Sequence, residues 1–152
     1  MVADVPNVCL TVSNQPENVL LVRETLSGLA DTVGVDGVEL NDIRTAVTEA
    51  CNNVVLHAYD AAGGPLHVEL YLAPEAVEVV VRDHGKGIDE KYLPRIFERY
   101  YKVPGTHDRT GTGLGLSISK EFIEAQGGSI WVDSRIGEGS RFGFSFGLSS
   151  NV

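Results

Sequence analysis

Hydrophobic and polar residues alternate most regularly over 66–72, where Leu66, Val68, Leu70 and Leu72 are interleaved with His67, Glu69 and Tyr71. A period of two marks a strand with one buried face. Ala73-Pro74-Glu75 then turns the chain into a valine-rich run, predicting a second strand over 76–82 that closes a hairpin and ends at Asp83. Near the C-terminus, Phe142, Phe144 and Phe146 share one face of a strand over 140–148. Residues 130–132 form its partner, and 8–12 an opening strand.

Helical spacing governs three other stretches. Asn14 is placed to cap a helix with Pro16 in its first turn. Val19, Leu20, Val22, Arg23, Leu26, Leu29 and Val33 form its mostly apolar stripe, and Gly34 ends it. A second helix runs over 39–58, with Ile43, Val47, Ala50, Cys51 and Val54 on its buried face. A third spans 114–126, with Ile118, Phe122 and Ile123 inward and Gly127-Gly128 as its stop. Residues 89–110 hold no sustained period beyond a short helical turn over 92–101. An irregular segment this long is usually functional.

The pattern predicts one domain over 1–152, large enough to bury roughly two-thirds of its unfolded surface. A hydrophobic fraction of 43% and a charged fraction of 22% are those of a globular protein. No apolar run reaches the ~20 residues of a membrane span, and the N-terminus has no signal pattern, so a cytoplasmic location is expected. Cys9 and Cys51 have no metal-ligand spacing and read as reduced core thiols. A net charge of −9 argues against nucleic-acid binding. Its distribution adds more: residues 84–112 carry six of the twelve basic side chains, Lys86, Lys91, Arg95, Arg99, Lys102 and Arg109, against four acids. A segment facing polyphosphate needs such a cluster, although a solvated loop can carry one too.

Three groups of residues carry candidate chemistry. Asp83-His84-Gly85-Lys86-Gly87-Ile88 leaves one carboxylate at a strand end, then two glycines. Alone, such a motif also occurs in turns and calcium loops. Gly111-Thr112-Gly113-Leu114-Gly115-Leu116 opens the third helix, where free backbone N–H groups attract phosphate. On the second helix, Glu49, Asn53 and His57 recur at four-residue steps and share a face. An Asn oxygen there can bind Mg²⁺ and a Glu can orient or deprotonate a nucleophile, whereas an exposed polar stripe is the plain alternative. His57, near the helix end, reads as a partner of the dipole.

Taken in order, Glu49-x-x-x-Asn53, Asp83-x-Gly85-x-Gly87 and Gly111-x-Gly113-x-Gly115 resemble the three nucleotide-binding boxes of the GHKL (Bergerat) ATP-binding fold, the superfamily of gyrase, Hsp90 and histidine-kinase catalytic domains. The resemblance covers nearly the whole chain. It implies an α+β two-layer sandwich: a mixed, mostly antiparallel sheet of about five strands on three helices, with a mobile ATP lid over about 84–112. It also implies ATP and Mg²⁺ as ligands. Asp83 would accept from the adenine amino group and Asn53 would hold the metal. Gly111, Thr112, Gly113, Leu114 and Gly115 would cradle phosphate, with Lys102 and Arg99 adding charge. Gly85 and Gly87 would let the backbone approach the base, Ile88 and Ser140 would also bind the nucleotide, Glu49 would be catalytic, and Phe97, Tyr100 and Tyr101 would pack the lid.

Two subfamilies are mixed. Thr48 to Asn53, followed by His57-Ala58-Tyr59, resembles anti-sigma factor serine kinases, whose partners are sigma factors and their antagonists. From Ile88 onward, the F-box-like Ile96-Phe97-Glu98-Arg99-Tyr100-Tyr101-Lys102 and Gly137-Glu138-Gly139-Ser140 resemble sensor histidine kinases, which feed response regulators. No upstream stretch reads as the helical hairpin that carries a phosphoacceptor histidine. The leading expectation is an ATP-dependent protein kinase of anti-sigma type acting on Ser or Thr, with homodimerisation open. The alternative is a histidine-kinase-like ATP-binding module, or an engineered chimera with a joint near Gly87 that binds nucleotide with little turnover.

Overall fold

All strand pairings in the computed structural model, which describes residues 5–33, 37–103 and 115–147, belong to one five-stranded sheet. The strands are β1 (Val8–Ser13), β2 (Pro65–Leu72), β3 (Ala76–Asp83), β4 (Ser129–Arg135) and β5 (Gly139–Gly147). They lie in the order β1-β2-β3-β5-β4. Every pair is antiparallel, so the expected mixed sheet is wholly antiparallel among the described residues.

Register follows from the alternation. Val68 stands opposite Leu10 on one side and Val81 on the other, and Val79 opposite Phe144. All of these turn the same way, toward a layer of three helices: α1 (Pro16–Val33), α2 (Gly37–Asn53) and α3 (Gly115–Ala125). Val22 and Leu26 of α1, Ile43, Val47 and Ala50 of α2, and Leu66, Val79 and Phe144 of the sheet are all at most 5% exposed. Each such side chain contributes about 1.5–3 kcal/mol on leaving water. No helix among the described residues is long and apolar enough to cross a membrane.

Several expectations are corrected. Asn14 does not cap α1: its side-chain oxygen accepts the N–H of Gly64, which ties the start of α1 to the loop before β2. Leu20 is 60% exposed, because it sits beside Leu21 on the outward edge of α1. Phe122 also faces out, since the inward face of α3 is made of Ser117, Ser119 and Ile123. Cys9 lies on the exposed face of β1, so Cys51 alone is a core thiol, and burial pushes its pKa up to about 12.

The helix after α2 changes character. Val54–Ala58 is a π-helical turn, a widening that is frequent at functional sites. His57 therefore follows Asn53 through a π turn rather than a regular α-helical step. The turn expected over 92–101 is a 3₁₀ turn at Glu90–Arg95, with the Asp89 side chain capping Lys91 N–H. α3 stops as expected: Gly127 adopts a φ of +78°, and Gly128 N–H returns to Ile123 O at 2.9 Å.

Candidate functional site

Asp83, the last residue of β3, is 4% exposed. Its Oδ1 accepts the N–H of Gly85 at 2.8 Å, and Gly139, the first residue of β5, packs against its backbone, which sets Ser140 beside the carboxylate. Burial outweighs the amide bond and raises the proton affinity of the group above its ordinary value. A carboxylate held by one amide at the edge of the core retains lone pairs for a donor from outside.

The loop after it is clamped on two sides. A Cβ on Gly85 would stand 2.0 Å from the carbonyl oxygen of Ala58, which accepts Lys86 N–H at 2.8 Å. Gly87 has a φ of +73°, and a Cβ there would meet Arg135 O at 1.9 Å. The close approach that demands these two glycines is therefore to protein backbone, at the π turn on one side and the β4–β5 hairpin on the other. Ile88 N–H donates to Ser134 Oγ at 2.7 Å, and Ser134 Oγ lies 2.7 Å from Ser140 Oγ. Tyr59, at the end of the π turn, accepts His84 N–H at 2.8 Å.

Opposite this loop runs α2. Asn53 Nδ2 donates to Glu49 O at 2.9 Å, which leaves Oδ1 as its acceptor face. A single neutral oxygen, completed by phosphates and water, suits Mg²⁺, which keeps several waters and takes few protein ligands. Among the described residues no cluster of three His, Cys, Asp or Glu is poised to hold a metal by itself. The half-buried Glu49 carboxylate reaches Gly115, the first residue of α3, and desolvation raises its proton affinity.

Arg99 forms an ion pair with Glu121 of α3 at 2.6 Å, while Lys102 is exposed. Of the three aromatics expected to pack the lid, Phe97 and Tyr101 lie against the core; Tyr100 is 70% exposed. Gly111, Thr112, Gly113 and Leu114 lie outside the described residues, as does Arg109. The structure thus brings Asp83, Gly85, Gly87, Ile88 and Ser140 together at the sheet end, and Glu49 and Asn53 with Gly115 on the helices. Sequence reasoning missed Ser134 and Tyr59. Both act through hydrogen bonds across the fold, which no local period reveals.

A five-stranded antiparallel sheet with helices on one side, and a buried carboxylate at a strand end, defines an ATPase-type domain of the GHKL class. Residues 39–150, well over half of the chain, match the family described as histidine kinase-, DNA gyrase B- and HSP90-like ATPase, and the chain belongs to that family. It is similar to the sensor histidine kinase WalK of Bacillus subtilis, 35% identical over 65% of this chain and 17% of that protein. The chain therefore spans a small part of the length of this relative. A mycobacterial sensor histidine kinase, MprB, shares the fold with a TM-score of 0.65 at 21% identity, over 91% of this chain and 97% of that one. Full-length ShkA, solved in complex with AMPPNP, matches with a TM-score of 0.65 at 20% identity, over 100% of this chain and 33% of that one. The likeness is to sensor histidine kinases, so the leading expectation of an anti-sigma serine kinase gives way to the histidine-kinase-like alternative.

Proposed function

We propose that this domain binds Mg-ATP between α2, the Asp83 loop and the start of α3, and presents the γ-phosphate to an acceptor histidine, as the catalytic module of a two-component kinase. The observation that carries the reading is Asp83, a buried acceptor anchored by the Gly85 amide, together with Asn53 Oδ1 and the Glu49 carboxylate on α2. The AMPPNP complex of ShkA supports an adenine nucleotide as the ligand.

In this reading Asp83 accepts from the adenine amino group, with Gly85, Gly87, Ile88 and Ser140 shaping the base site. Asn53 contributes one oxygen to Mg²⁺, which neutralises phosphate charge when bound. Gly113, Gly115 and neighbouring amides cradle phosphate. Lys102 and Arg99 add charge, Arg99 only on leaving Glu121. Glu49 orients the attacking group and takes its proton. Phosphoryl transfer asks mainly for positioning and charge neutralisation, which this set supplies in kind. A response regulator would be the downstream partner.

The test has two parts. Calorimetric titration with ATP and ADP, with and without Mg²⁺, should show micromolar-class binding by the wild type; absence of binding overturns the reading. Labelled ATP is then offered with candidate acceptor proteins and the product treated with acid. Phosphohistidine is lost in acid and phosphoserine survives, so an acid-stable product would restore the serine reading.

A further inference from the structure

We propose that Ser134 is a specificity-determining positioning residue, whose hydroxyl forces that of Ser140 to act only as an acceptor beside Asp83. The inference rests on the adenine-nucleotide reading above and extends it to a residue away from the three boxes.

Three groups converge on Ser134 Oγ: Ile88 N at 2.7 Å, Gly139 O at 2.9 Å and Ser140 Oγ at 2.7 Å. Ser134 and Ser140 are 3% and 7% exposed, so water cannot substitute freely for a missing partner. A hydroxyl has one proton and two lone pairs. An amide N–H can only donate, so Ile88 occupies one lone pair. A carbonyl can only accept, so Gly139 takes the single proton. The remaining lone pair must then be filled by Ser140, whose own proton is thereby committed to Ser134.

The consequence falls on the base site. Ser140 continues the β3–β5 register beside Asp83 and sends its hydroxyl proton to Ser134. Its oxygen retains only acceptor capacity, next to a carboxylate that also only accepts. Two acceptors and no donor suit an exocyclic amino group, which carries two N–H bonds. They oppose a 6-oxo purine, whose carbonyl would face both lone-pair sets unpaired. Without the Ser134 hydroxyl, the Ser140 hydroxyl is free to turn and donate, and a carbonyl oxygen becomes acceptable.

The experiment compares ATP with ITP, its 6-oxo counterpart, by calorimetric competition on wild type, Ser134→Ala and Ser140→Ala. The wild type should favour ATP strongly. In Ser134→Ala the ATP:ITP ratio should fall about tenfold, with part of the change a gain in ITP affinity, the scale of one net hydrogen bond. Ser140→Ala keeps the Ser134 bonds to Ile88 and Gly139 and is the control if Ser134→Ala fails to fold. It should lose ATP affinity several-fold while ITP is unchanged. A purely structural role would weaken both nucleotides equally in either variant, and an unchanged ratio overturns the proposal. A wild type that binds ATP and ITP alike would instead overturn the adenine reading beneath it.

Discussion

The Glu49 carboxylate and the first residue of α3 are in direct contact: a Cβ on Gly115 would stand 2.0 Å from Glu49 Oε2. Two motifs more than sixty residues apart thus meet at one point. The helix end favours an anion there, yet burial is stronger and still raises the Glu49 proton affinity. Gly115→Ala separates stability from function. Alanine is the better helix former by about 1 kcal/mol, and the atom it displaces is the end of a flexible side chain. The melting temperature should hold or rise by about 2–4 °C, while phosphoryl transfer falls at least tenfold as Glu49 is pushed aside. A variant that turns over normally would show that Glu49 need not sit there.

Glu49 and Asn53 are separable by chemistry. Asn53→Ala removes the oxygen assigned to Mg²⁺, so the Mg²⁺-dependent part of nucleotide affinity and turnover should fall together. Glu49→Gln keeps the shape and loses the basicity. Mg-ATP affinity should stay within a few-fold while transfer drops about 10²–10⁴-fold. The Glu49 proton affinity is raised, so its contribution to stability is full below its ordinary value of 4.5 and is lost as pH rises through its higher folded-state value. The wild type and Glu49→Gln should melt together near pH 4, with the variant gaining at neutral pH. Circular dichroism melts across that window check the sign.

Much of this was legible in the sequence because it is periodic. The phenylalanines at 142, 144 and 146 declare a buried strand face, and each is at most 4% exposed. Gly127 declares a helix stop. What was not legible depends on contacts distant in the chain. Asn14 has every local mark of a cap, but its oxygen is claimed by Gly64, fifty residues on. Phe122 has helical spacing for the core, but the inward face of α3 is taken by Ser117, Ser119 and Ile123. His57 follows Asn53 through a π turn that no residue pattern announces. The site was legible as motifs, whereas Ser134 is visible only when the β4–β5 pairing sets it opposite Ser140.

The Arg99–Glu121 pair makes a prediction about charge. Both side chains are more than half exposed, so water screens the pair and it adds little to stability. Glu121→Gln should leave the melting temperature within about 2 °C. If Arg99 serves phosphate, its release should tighten Mg-ATP binding about two- to five-fold, and Arg99→Ala should weaken it in both backgrounds. Unchanged affinity in Glu121→Gln would assign Arg99 to the surface alone.

Asp83→Asn tests the base site. The substitution places an amide donor where the adenine amino group would approach, and an unpaired buried polar contact costs about 1–3 kcal/mol. ATP and ADP affinity should therefore fall about tenfold to a hundredfold or more. The free protein should change little, because relief from burying a charge offsets the weakening of the Gly85 backbone bond. Its folded-state proton affinity is raised, so the stability contributed by Asp83 is full below its ordinary value of 3.8 and is lost as pH rises through the higher value. At neutral pH the wild type thus keeps a desolvated charge that weakens the free fold and that a ligand donor can partner. Saturating ATP should raise the wild-type melting temperature, since ligand at a hundred times its Kd adds about 2.7 kcal/mol. The same ATP should shift Asp83→Asn far less. Equal thermal shifts in the two folded proteins would remove adenine recognition from this carboxylate.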